Sequence, residues 1–210
     1  MQITAIEPRR KSLSALFLDG ELAASIDTET LLRSGYRLGD EIDDAQLFDL
    51  IQASNARRAN EKALFLLAHR SHSKHELAEK LKRTVGEEAA QAAADHMEEL
   101  GLINDETYAR DYAADLFRRK GFAPQRIRQE MLQKGIDRER IEIIIEELAP
   151  DPEERLQELV ERKYVTSLRD EKGIRRTIAA LQRYGYPYGM IRRVLSQWKP
   201  ENEDEEYDGI

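Results

Sequence analysis

The 210-residue sequence contains no cysteine, so it has neither disulfide staples nor thiolate metal sites; this fits a reducing compartment. Apolar runs are short. Ala63–Ala68 and Ile143–Ile145 are typical, far below the roughly 20 residues needed to cross a bilayer. The N-terminus lacks a long apolar core behind a basic patch, which argues against a secretory signal and for a soluble cytoplasmic protein. Proline is absent between Pro8 and Pro124, so long helices are permitted there. Neither the phosphate-binding G-x-x-x-x-G-K-[ST] loop nor the G-x-S-x-G nucleophile elbow occurs. These gaps lower the odds of an enzyme, and no catalytic residue or cofactor is expected.

Charge is plentiful, with 35% of residues charged against 40% hydrophobic, a composition suited to a thin, solvent-rich architecture. The formal net charge of −8 is unevenly placed. Lys199–Ile210 holds six acids against one lysine and is read as a disordered acidic tail. Two stretches are basic and free of acids. Leu116–Gln129 carries Arg118, Arg119, Lys120, Arg126 and Arg128, and Lys172–Trp198 carries Lys172, Arg175, Arg176, Arg183, Arg192 and Arg193. Tyr184, Tyr186, Tyr188 and Trp198 interleave the second stretch.

The first forty residues have a character of their own. Gln2–Ile6, Ser12–Leu18 and Glu21–Ile26 read as strands, and Asp19-Gly20 suits the positive φ angles of a tight hairpin. Asp27 or Thr28 can cap a short helix that ends near Gly35. This β-hairpin and helix module, residues 1–42, is too small to stand alone and should lean on the helix that follows. From Asp43 onward apolar residues recur at helical spacing. Gly86, Gly135 and Gly185 lie about 50 residues apart, each after an apolar helix position (Leu81, Met131 and Leu181), with Leu77, Ile127 and Thr177 one turn earlier. Ala92, Ile141 and Ile191 follow each glycine by six residues, and Leu100, Leu148 and Trp198 come about two turns later. The period marks stacked helical repeats. The division expected is a long helix plus repeat 1 over 43–103, repeat 2 over 104–150, repeat 3 over 151–198 and the tail over 199–210. Ser73 with Glu76, Asn104 with Asp105, and Pro124 mark helix starts.

His69, His72 and His75 cluster locally, but Ser73 starts a helix between them, so they are read as solvated surface histidines rather than metal ligands. Tyr186 and Trp198 fall at repeat core positions. The basic stretches are the strongest functional signal: they suit a nucleic-acid backbone or an acidic protein surface, against the plainer alternative of a solubilising face.

Four ordered segments carry a family resemblance. Ala63-Leu64 through Arg70, Ser73, Glu76-Leu77 and Lys80-Leu81 resembles the opening of the RecX family of RecA regulators. Leu100 to Ala109 is similar to its next signature, and Arg118-x-Lys120-Gly121 with Arg126 to Met131 and Lys134-Gly135-Ile136 to the third. Arg183 to Tyr186 with Ile191 and Val194-Leu195 resembles the closing segment. The match covers about Asn60–Trp198. Gly86, one residue late, Met131 in place of the commoner leucine, and the acidic tail depart from the pattern.

The resemblance implies a mainly α protein: tandem three-helix repeats in an elongated curved array, with the small N-terminal β module added. It implies a protein that binds the RecA–DNA filament and inhibits its ATPase, strand exchange and coprotease functions, within DNA repair, recombination and the SOS response; a monomer is expected. Some members of the family also bind single- or double-stranded DNA. The candidate partner-binding residues are Arg118, Arg119, Lys120, Arg126, Arg128, Lys134, Arg175, Arg176, Arg183, Arg192 and Arg193. The alternative is a DNA-binding protein that acts without RecA.

Overall fold

The computed structural model describes residues 1–198; the acidic tail expected over 199–210 lies outside the described residues. The chain is mainly α and divides into two compact units, Met1–Asp105 and a second that begins at Glu106.

The first unit opens with a three-stranded antiparallel sheet in the order β1 (Ile3–Arg9), β2 (Leu13–Leu18), β3 (Glu21–Asp27). Asp19 and Gly20 form the second hairpin turn with φ of 52° and 91°, as the dipeptide predicts. β1 runs on through Pro8, beyond the limit expected at Ile6. It is an edge strand, where a proline costs no internal ladder bond. Asp27 caps α1 (Thr28–Ser34) through the Thr30 amide at 2.9 Å, and Gly35 closes the helix in the left-handed conformation.

The module does lean on its neighbour. Ile3, Leu16, Leu18 and Ile26 pack with Leu31, Ile42 and Leu50. Leu50 lies on α2 (Asp44–His69), which Asp43 and Gln46 start with a reciprocal capping box. At mid-helix the Ser54 hydroxyl accepts from the buried Asp27 amide at 2.8 Å, and Arg57 pairs with Asp27 at 3.1 Å.

The far half of α2 packs on α3 (Lys74–Val85) and α4 (Glu87–Glu99) around Ala59, Ala63, Leu77, Leu81, Ala90, Ala93, Ala94 and Met97. Small residues let three helices approach closely. Two acceptors meet the exposed amides at the start of α3: Ser73 takes the Glu76 amide at 3.1 Å and Asp105 the Lys74 amide at 2.8 Å.

Three sequence expectations fail in this unit. Ala92 and Leu100 are exposed rather than core, because α4 starts one residue after Gly86 whereas the matching helices start three residues after Gly135 and Gly185. That offset turns a different face inward. His72 is not solvated. It is 3% exposed, its Nδ1 lies 2.9 Å from the Arg70 carbonyl and its Nε2 2.8 Å from Lys80 Nζ, and burial pushes its pKa down.

The second unit holds two further three-helix groups. α5 (Asp105–Asp115) continues into a π-helical turn over Leu116–Lys120, and is followed by α6 (Pro124–Gln133) and α7 (Arg138–Leu148). Their core is Tyr108, Ala109, Leu116, Phe117, Ile127, Met131, Ile141, Ile144 and Ile145. α8 (Pro152–Lys163), a 3-10 turn over Val165–Arg169, α9 (Glu171–Arg183) and α10 (Tyr188–Ser196) repeat the pattern around Leu156, Val160, Leu181, Tyr186, Ile191 and Val194. Gly135 and Gly185 end α6 and α9 with φ of 76° and 92°. Tyr186 is buried and Trp198 packs against this core, both as expected. Leu148 is 37% exposed and does not take the matching core role.

Candidate partner-binding surface

The cations of the two basic stretches meet different fates, because an acid-free stretch of sequence is not an acid-free surface. Arg128 is held by Glu142 from the facing helix in a two-pronged pair, 2.7 Å at each contact, which keeps the Glu142 carboxyl below its usual range. Arg193 reaches Glu153 at 3.0 Å, across 40 residues of sequence. Arg119 and Arg175 pair one helical turn back, with Asp115 at 3.0 Å and Glu171 at 2.9 Å.

Arg126 is held within its own domain: a terminal nitrogen bonds Glu130 at 2.5 Å and the guanidinium lies 5.7 Å from the Phe122 ring centre, while its buried Nε has no partner among the described residues. Lys134 sits over the Tyr112 ring and Arg192 over Tyr188, at 5.7 Å and 5.9 Å.

The side chains of Arg118, Lys120, Lys172, Arg176 and Arg183 make no ion pair among the described residues, and all five are exposed. Three of them form a stripe along α9. Lys172, Arg176 and Arg183 fall at i, i+4 and i+11, one face of a helix. They line a groove of about 550 Å³ with Tyr164, Ser167 and Thr177. Arg183 also borders a second hollow of about 360 Å³, where Arg126, Gln129 and Tyr188 meet Gly185. Residues of both basic stretches, 57 apart in sequence, thus share one hollow.

The seam beneath that hollow is tight. The Ala123 amide donates to the Tyr184 carbonyl at 2.8 Å, and the Tyr186 hydroxyl donates to the Gly121 carbonyl at 3.2 Å. Desolvation there raises the Tyr186 phenol to about 12.

Sequence reasoning missed Arg155. It stands among Glu153, Glu154 and Glu158, so no basic stretch announces it. Its guanidinium donates to the Phe117 and Arg118 carbonyls at 3.0 Å and 2.7 Å. The first unit has a cleft of about 750 Å³ between α1 and α2, and the Arg57 that lines it is already bonded to Glu61 at 2.7 Å. Among the described residues no group of three or more His, Asp or Glu side chains could hold a metal ion, and no helix is long and apolar enough to cross a membrane.

Three successive three-helix groups, the last two carrying exposed unpaired cations, define a helical-repeat protein with a cationic surface. Comparison supplies the family. Family descriptions of the first, second and third three-helix domains of RecX match residues 59–97, 104–143 and 151–195. The regulatory protein RecX of Caldanaerobacter subterraneus subsp. tengcongensis is 32% identical over 193 residues, 90% of this chain and 93% of that protein. That of Pseudomonas savastanoi pv. phaseolicola is 38% identical over 137 residues, 64% of this chain and 87% of that protein. A crystal structure of regulatory protein RecX superposes with a TM-score of 0.57, covering 93% of this chain and 98% of that one. RecX from Lactobacillus salivarius gives 0.54 over 70% and 97%. Both are 22% identical to this chain, so their likeness speaks to the fold. The chain belongs to the RecX family, a family of regulatory proteins.

Proposed function

We propose that this protein regulates the RecA recombinase by binding the RecA–DNA filament through the cationic face of its second and third three-helix domains, lowering ATP hydrolysis, strand exchange and coprotease activity without chemistry of its own. The observation that carries the reading is the set of exposed cations that make no ion pair among the described residues: Arg118, Lys120, Lys172, Arg176 and Arg183. A paired cation must give up its own acid before it meets a partner; an unpaired one keeps its full field and steers association. Several such contacts spread over two domains add through effective concentration on a repeating filament.

One observation favours a second reading, a protein that binds DNA without RecA. The Lys172–Arg176–Arg183 stripe lies near Tyr188, and cations beside an exposed aromatic suit a single strand. The two readings separate by titration against bare single-stranded DNA and against filaments of the cognate RecA, at two salt concentrations. Filament binding that persists at moderate salt, where bare DNA is no longer held, supports the first. Equal affinity for bare DNA and filament, with a steep salt slope, supports the second.

A further inference from the structure

The turn that carries Arg118, Arg119 and Lys120 has an unusual backbone. Its π-helical geometry sends the Gly121 amide back to the Leu116 carbonyl, and the Phe122 amide closes on the same carbonyl at 3.2 Å. The next amide, that of Ala123, leaves the helix for the Tyr184 carbonyl. The three amides that would have served the Phe117 and Arg118 carbonyls are therefore committed elsewhere. Carbonyls left this way at a helix end need a donor from another part of the chain.

Arg155 supplies it. One terminal nitrogen donates to both carbonyls, at 3.0 Å and 2.7 Å, while the other holds Glu158 at 2.5 Å. The side chain is 18% exposed, so this guanidinium serves the fold more than the solvent. Three more contacts from the same domain close on the turn. The Tyr186 hydroxyl donates to the Gly121 carbonyl, and the Tyr184 carbonyl accepts from the Ala123 amide. Leu159 lies where a side chain on Gly121 would begin, 3.2 Å from that point, and Gly121 itself has a φ of 71°. Every contact runs from the third domain to the turn of the second.

We infer that the third three-helix domain is a clamp that fixes the conformation of the cationic turn, with Arg155 as its positioning residue for partner binding. Arg155 need not touch the partner. It sets the direction in which Arg118 and Lys120 leave the backbone, so a loss at Arg155 is felt at residues 118–120. The inference rests on the proposed function, because it takes that turn to be a partner contact.

The test is a double-mutant cycle in the full chain: wild type, Arg155→Met (which keeps the apolar stem and removes the donors), the triple variant Arg118→Ala/Arg119→Ala/Lys120→Ala, and all four changes together. The readout is affinity for cognate RecA filaments on single-stranded DNA, with amide hydrogen exchange on each free protein. Arg155→Met is expected to weaken binding about three- to tenfold in the wild-type background and to have no further effect on the triple variant. It is also expected to speed exchange at Gly121 and Phe122 while Ile127 and Met131 stay protected. Unchanged exchange at Gly121 and Phe122 overturns the clamp. An equal loss in both backgrounds overturns the positioning role, since a merely structural or directly contacting Arg155 would act regardless of the turn. A triple variant that binds as wild type refutes the use of this turn in the proposed function and the positioning role with it, and the exchange result then decides the clamp alone.

Discussion

Gly185→Ala and Gly189→Ala, four residues apart, are expected to move stability in opposite directions. Gly185 has a φ of 92°, and a methyl group there would begin 2.7 Å from Arg126 Cβ and 2.9 Å from the Arg126 amide nitrogen. The left-handed backbone alone costs an L-residue about 1–2 kcal/mol. The overlap falls on the first turn of α6, which cannot yield as a flexible side-chain tip would, and overpacking of this kind costs about 1–3 kcal/mol. Relief by separation strains the Ala123–Tyr184 and Tyr186–Gly121 bonds, so the total for Gly185→Ala is about 2–5 kcal/mol. Gly189 lies in the first turn of α10, has nothing within 4 Å of the added carbon and has no positive φ. There alanine gains about 0.5–1 kcal/mol in helix propensity and unfolded-state entropy. Urea unfolding of both variants, followed by circular dichroism with global fitting of the two units, measures the difference. A Gly185→Ala variant within 1 kcal/mol of wild type would refute the close approach, and with it the tight seam between the second and third domains.

Gly173→Ala is expected to destabilise by about 1–3 kcal/mol despite the better helix former, because its new carbon would lie 1.9 Å from the Ser167 carbonyl oxygen and must push the 3-10 turn off α9; unchanged urea unfolding would contradict this. Tyr186→Phe should cost about 1 kcal/mol through the lost bond to Gly121. In wild type the same phenol, raised to about 12, stays protonated in the fold after it would ionise in the unfolded chain, so stability is present below the ordinary tyrosine range and falls as pH rises from there towards 12; the Tyr186→Phe variant should lose that part of the alkaline decline. For His72 the sign is reversed. Its pKa is depressed by burial, opposed by the hydrogen bond to the Arg70 carbonyl and by Glu76 and aided by the charges of Arg70 and Lys80, so the stability it confers is present above the ordinary histidine range and is lost as pH falls below it. His72→Gln should flatten that acid-side slope in the first unit, and an unaltered slope would count against it.

The features legible in the sequence were local ones. Asp27 caps α1, Asp43 starts α2 and Ser73 caps α3, because a cap needs a side chain and an amide two or three residues away, and Pro124 opens α6 where its missing N–H costs little. The glycine spacing exposed the repeat because a left-handed helix stop has few alternatives. Facing was less legible. Ala92 and Leu100 keep the apolar spacing yet point outward, since the short connection after Gly86 decides which face of α4 turns in; Leu148 is also exposed, although its helix starts at the same offset as α10. His72 looked solvated because nothing in its neighbourhood of sequence shows that its ring reaches Lys80. The cationic surface was half legible. Arg128 and Arg193 belong to basic stretches, but their acids come from other helices, Glu142 and Glu153. Arg155 hides in an acidic stretch and acts on carbonyls 37 and 38 residues away. Tertiary pairing, rather than composition, decides which charges remain for a partner.

That distinction gives the most direct test of the account: the DNA-dependent ATPase of the cognate RecA, titrated with two variants that each remove cations from the same stretches. Arg118→Ala/Lys120→Ala/Arg176→Ala/Arg183→Ala removes charges with no ion-pair partner among the described residues, and is expected to raise the concentration for half-inhibition by at least about tenfold. Arg128→Ala/Arg193→Ala removes charges already held by Glu142 and Glu153, and is expected to stay within about twofold of wild type. Inhibition by the quadruple variant equal to wild type, or an equal loss in the paired-cation variant, would contradict the claim that the unpaired cations of the second and third domains form the regulatory surface.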